Sequence, residues 1–88
     1  MAEKYVRNIF VRLGKIGDQS FLINGRQCFE VNEIGAFIWN CFSTPTDIDV
    51  IRKKVLDSYE VENEKKIEHD LYKFIEMLKK FDLIDKVV

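Results

Sequence analysis

Proline occurs once in the 88 residues, at Pro45, and glycine four times, so the chain has no linker and no low-complexity tract. Histidine occurs once, as His69, and the two cysteines, Cys28 and Cys41, lack CxxC spacing. A structural zinc site wants four ligands, so no metal is expected, and both thiols read as small buried hydrophobes in apolar surroundings. An excess of positive charge is also missing: 14 Lys and Arg against 15 Asp and Glu leave a net charge of -1. Phosphate-backbone binders carry a basic excess on one face, so nucleic acid is not an expected partner. No stretch approaches the roughly 18 apolar residues of a membrane span, and no apolar run follows Met1-Ala2-Glu3-Lys4. The expectation is a soluble cytoplasmic protein with no membrane contact, where a disulfide is not expected either.

Catalytic equipment is equally thin. An enzyme needs a nucleophile, a metal or a positioned acid and base. Gly14, Gly17, Gly25 and Gly35 make no phosphate loop, and Glu30 and Glu33 show no paired-carboxylate spacing. His69 points away from the apolar stripe of its helix and reads as a surface residue. The chain is therefore not expected to be an enzyme and needs no cofactor.

What is present is apolar and rhythmic. Hydrophobic residues make up 47% and aromatics 12%, enough for one core, and residues 1–88 read as a single domain. Residues 5–13 alternate with a period of two, placing Ile9, Val11 and Leu13 on one side, and predict a strand; residues 14–17 supply a turn. Residues 19–31 predict a hairpin about Asn24-Gly25, suited to a type I′ turn, with Leu22 opposite Gln27 and Phe21 opposite Cys28. Leu22, Phe29 and Val31 then share one face, and Phe21, Ile23, Cys28 and Glu30 the other. Neither is cleanly polar, so the sheet is covered on both sides or its apolar surplus meets a partner.

Asn32 predicts an N-cap for a helix over residues 33–42, with Trp39 as a packing residue. Thr46 and Asp49 predict a capping box for a second helix to about Ser58, burying Ile48, Ile51, Val55 and Tyr59. In the third, Ile67, Leu71, Phe74, Ile75, Leu78 and Phe81 fall within an arc of about 120°. Asp82 suits the left-handed position that ends a helix, after which Leu83-Ile84 folds back on the core. The clusters Arg52-Lys53-Lys54 and Lys79-Lys80 read as solvated helix faces. Met77 lies on a shoulder of the third helix with Lys66, Asp70 and Lys73, as a core rim or the wall of a groove. The predicted order is β-β-β-α-α-α.

Two segments resemble the PqqD-like family of small peptide-binding modules, also called RiPP recognition elements. Phe29-Glu30-Val31-Asn32-Glu33-Ile34-Gly35-Ala36-Phe37-Ile38-Trp39 is similar to the family's "x-x-Leu-Asn-x-x-Gly/Ala-x-x-Ile-Trp". The run from Asp70-Leu71 through Phe74-Ile75, Leu78 and Leu83-Ile84 is similar to its "Asp-Val-x-x-Phe-Leu-x-x-Leu-x-x-x-Gly-Leu-Leu", and Tyr59-Glu60-Val61 to its "Tyr/Phe-x-Val" step. The chain departs from the pattern at Asp82, which replaces a Gly, and at Phe42-Ser43-Thr44-Pro45, which replaces an Asp-Gly turn. The resemblance implies an α+β winged helix-turn-helix, a three-stranded antiparallel sheet followed by three helices. It implies a non-catalytic peptide chaperone that binds the leader segment of a ribosomally made precursor peptide as an added strand. The bound peptide is presented to a modifying enzyme such as a radical SAM protein, a leader protease or a cyclase, as in lasso-peptide biosynthesis.

By position, Gln27, Cys28, Phe29, Glu30 and Val31 form the strand edge, and Lys66, Asp70, Lys73, Phe74 and Met77 the helix wall. An uncovered edge also allows self-pairing, so monomer and edge-mediated dimer both stay open. The alternative is a winged-helix nucleic-acid binder or transcriptional regulator, and a further one a protein-interaction domain unrelated to peptide maturation.

Overall fold

Where the alternation of residues 5–13 predicts one strand, the chain makes two. The computed structural model describes residues 3–59 and 62–87. It places β1 at Tyr5–Arg7 and β2 at Arg12–Ile16, with a turn between them. The break is local chemistry: the Asn8 side chain accepts from the Phe10 amide at 2.8 Å, and the Val11 amide donates to the Asn8 carbonyl at 3.1 Å. A short polar side chain competing for backbone amides is a turn device that a period count does not register. Val11 is buried and Ile9 is exposed, so the predicted shared face dissolves.

β3 (Gln19–Asn24) and β4 (Gln27–Val31) complete a three-stranded antiparallel sheet in the order β2-β3-β4. The first hairpin turns on Gly17-Asp18, narrower than the predicted 14–17 turn, because β2 runs on through Gly14 to Ile16. The second turns on Gly25-Arg26, since Asn24 pairs with Gln27, Ile23 with Cys28, Leu22 with Phe29 and Phe21 with Glu30. Gly25 has φ of 59° while Arg26 is not in positive φ, the sign pattern of type II′, which needs glycine only at its first centre. The predicted register is therefore displaced by two residues. Because side chains repeat every two, the face assignment survives. Leu22 and Val31 are buried and Phe29 half-buried on the inner face, whereas Ile16 and Ile23 stay exposed on the outer one.

Asn32 caps α1 (Glu33–Cys41), its Oδ1 accepting from the Gly35 amide at 2.7 Å. Asn32→Ala is expected to lower stability by about 1 kcal/mol, read as a shift in the urea midpoint at unchanged m. The predicted Thr46 cap is replaced: Asp47 caps α2 (Ile48–Ser58) by accepting from the Val50 amide at 3.0 Å. Thr46 is instead buried and bridged to Tyr5, each amide donating to the other's carbonyl. Ile51 and Val55 are buried, but Ile48 and Tyr59 only partly. Glu60 and Val61 of the expected Tyr-x-Val step lie outside the described residues.

Asn63 caps α3 (Glu64–Lys80), which buries Leu71, Ile75 and Leu78 and leaves Ile67, Phe74 and Phe81 half-buried. Asp82 ends it at φ of 56°, as its short polar side chain allows, and Leu83 and Ile84 are buried. The chain continues into an unforeseen β5 (Ile84–Lys86), antiparallel to β1 in a separate two-stranded sheet. The Val87 amide donates to the Lys4 carbonyl at 2.8 Å, and Lys86 pairs with Glu3 at 3.0 Å. The Tyr5 hydroxyl donates to Glu3, and with Lys86 it holds the Glu3 carboxyl below its ordinary value. The fold class is α+β, with the expected three-stranded sheet and three helices plus this added pair.

Candidate functional site

β4 lies at one edge of its sheet. A two-residue hairpin loop is closed by a hydrogen-bonded pair, here Asn24 and Gln27, and hydrogen-bonded and open pairs then alternate along an antiparallel ladder. Gln27, Phe29 and Val31 thus direct their N–H and C=O groups to β3, while Cys28 and Glu30 direct theirs to the free edge. Side chains alternate in step: Val31 is buried and Phe29 half-buried inward, while Cys28 and Glu30 are exposed on the outer face. Cys28 departs from the expected buried thiol for that reason. Cys41 fits it better, half-buried, with burial pushing its thiol up.

One aromatic contact joins the end of α3 to this strand, and a second joins α3 to α1. The Phe29 ring lies 4.9 Å from that of Phe81, centroid to centroid and tilted by 42°. Phe74 meets α1 at Gly35, where an added Cβ would stand 3.3 Å from the ring and 3.2 Å from the Asn32 Oδ1. A glycine inside a helix costs about 1 kcal/mol relative to alanine, and close approach of the Phe74 ring accounts for it here. Phe74, Met77 and Phe81 form an i, i+3, i+7 row about 10 Å long, all half-buried. Lys66, Asp70 and Lys73 are exposed, and none is ion-paired among the described residues.

An apolar cavity of about 230 Å³ opens beside Phe74, lined among others by Asn32, Ile34, Gly35, Ile67 and Asp70. Of the wall residues anticipated from the sequence, Asp70 and Phe74 reach this cavity. Gln27 stays exposed near the hairpin turn, and Lys66 and Lys73 stand on the outer shoulder. Gly35 and Ile67 in the cavity lining, and Phe81 against Phe29, are positions not anticipated from the sequence. The isolated glycine in a helical pattern was the available signal for the first.

The basic clusters are partly neutralised from within: Arg52 pairs with Glu68 and Lys79 with Glu76, each at 3.2 Å. His69 is exposed and Trp39 buried, as their positions predict. No described helix is long and apolar enough to cross a membrane.

The family model for coenzyme PQQ synthesis protein D, PqqD, matches residues 19–84. No curated protein matches the chain. Among solved structures, TbiB1 in complex with the TbiA(beta) leader peptide is similar, with a TM-score of 0.71 and 21% identity. That match covers 91% of this chain and 94% of that one. At that identity the likeness is one of fold.

Proposed function

The chain belongs to the PqqD family, and from that premise we propose that it is a non-catalytic, cytoplasmic peptide-binding subunit. It captures the leader segment of a ribosomally made precursor peptide and presents it to a modifying enzyme. One observation carries this reading. β4 leaves Cys28 and Glu30 on a free edge, and Phe29 of the same strand packs on Phe81 at the end of α3, which supports an extended segment docking beside that helix. Main-chain bonds to the edge supply adhesion, and alternate side chains of the peptide enter the groove and select the partner.

Within that reading, Gln27, Cys28, Phe29, Glu30 and Val31 form the docking edge. Cys28 and Glu30 offer the main-chain groups, whereas Val31, 6% exposed and bonded to β3, holds the strand in place behind them. Phe74 and Met77 form the apolar wall, and Lys66, Asp70 and Lys73 select charge along its rim. Exposed pairs of that kind contribute under about 1 kcal/mol each, so they tune specificity more than affinity.

Titration of the isotope-labelled protein with the leader segment encoded beside this gene tests the reading. Saturable amide shifts are expected over residues 26–31 and 66–77, with the largest at Cys28 and Glu30, and a Kd of about 1 μM or tighter, near -8 kcal/mol. Shifts that never saturate, or that avoid β4, would overturn it.

A further inference from the structure

The turn between β1 and β2 shows the solvent two large apolar side chains in succession: Ile9 is 85% exposed and Phe10 76%. This turn is firmly held. The Asn8 amide donates to the Leu83 carbonyl at 3.0 Å, and its Nδ2 donates to the Asp82 carbonyl at 3.0 Å. Its Oδ1 accepts from the Phe10 amide at 2.8 Å, and its carbonyl accepts from Val11 at 3.1 Å. One asparagine thus fixes the tip of the turn while neither tip side chain is buried. An apolar pair already held in place loses little freedom when a partner covers it.

Beside the knuckle lies a depression of about 600 Å³, lined by residues that include Arg7, Ile9, Arg12, Leu13 and Trp39. Its charged groups are both positive. The Arg7 guanidinium lies 5.3 Å from the centre of the Trp39 ring, and neither arginine is ion-paired among the described residues. Among the described residues, no carboxylate lines the depression. The complement of this surface is an apolar socket with a negative rim. The knuckle leads into β2, the edge opposite β4, about 10 Å away at two strand spacings, and precedes the family-matched residues 19–84. A peptide on β4 leaves it open.

We propose that Ile9 and Phe10, with Arg7 and Arg12, dock the enzyme that modifies the bound peptide, through an apolar socket on that enzyme rimmed by carboxylates. The inference rests on the presenting role proposed above, since a presenting subunit needs a second face for the enzyme. The probe is the purified modifying enzyme encoded beside this gene, titrated calorimetrically without leader peptide into the wild type, Phe10→Asp and Arg12→Glu. Leader binding is measured separately on all three.

Phe10→Asp is expected to weaken enzyme binding about 30-fold or more, as loss of an aromatic anchor does. Arg12→Glu is expected to weaken it and flatten its salt dependence, with leader affinity unchanged in both. Unchanged enzyme affinity in both variants overturns the proposal. So does a wild-type dimer that Phe10→Asp disperses in light scattering, which assigns the knuckle to a second copy. Phe10-dependent binding to anionic phospholipid vesicles overturns it in favour of a membrane. Phe10-dependent enzyme binding by a protein that takes no leader upholds the docking surface and retires the peptide reading alone.

Discussion

Glu30→Pro is expected to weaken leader binding about 100-fold or more while leaving thermal stability within about 4 °C of wild type. The Glu30 N–H points to the free edge, so its removal takes nothing from the β3–β4 ladder, and edge strands tolerate proline at such positions. For an incoming strand the same change deletes a donor worth about 1 kcal/mol and puts a ring where the partner backbone must approach. Phe29→Pro is the matched control. Phe29 pairs with Leu22 and gives its N–H to β3, so proline there is expected to disrupt the sheet itself. Calorimetric titration and thermal melts of the two variants separate the outcomes. A Glu30→Pro protein that unfolds while Phe29→Pro does not would place the ladder one residue out of phase. A folded Glu30→Pro protein with normal affinity would move the peptide to another surface.

Phe42→Ala is expected to cost about 3 to 5 kcal/mol, a large share of the stability of a domain this small. Phe42 is the largest side chain with no exposed surface, at the C-cap of α1, and its carbonyl accepts from the Arg7 amide at 2.8 Å. Its ring therefore fills the core where α1 ends and β1 passes, and truncation leaves a cavity that helix and strand cannot both close. A thermal melt should fall by roughly 15 to 30 °C. Phe10→Ala, at a side chain 76% exposed, is the control and should stay near wild type. A loss below about 1 kcal/mol at Phe42 would contradict this packing.

The helices and the inner sheet face were legible because their signals are periodic. Leu71, Ile75 and Leu78 lie where the 3.6-residue stripe predicts, and Asn32 and Asp82 bound their helices by capping chemistry that a single residue carries. The hairpin tolerated a two-residue error because only an odd shift exchanges faces. What escaped was set by long-range pairing. β5 exists because β1 lies beside it, and nothing within Ile84-Asp85-Lys86 announces a strand. Thr46 carries an N-cap signature yet is taken by Tyr5, 41 positions earlier, and Asp47 takes over the cap. At the site, the edge residues were readable from order along the chain, but the contact of Phe81 with Phe29 depends on where α3 ends in space.

The pairing of Tyr5 with Lys86 means that the chain leaves this body one strand spacing, about 5 Å, from where it enters. A segment with adjacent ends can be set into a loop of a host protein without prising that loop apart. Joining residues 5 and 86 through a short bridge would likewise give a ring that can be opened elsewhere, for instance at the Gly17-Asp18 turn. The β1–β5 pair thus acts as a seam, and it makes this module portable between architectures with its β4 edge intact.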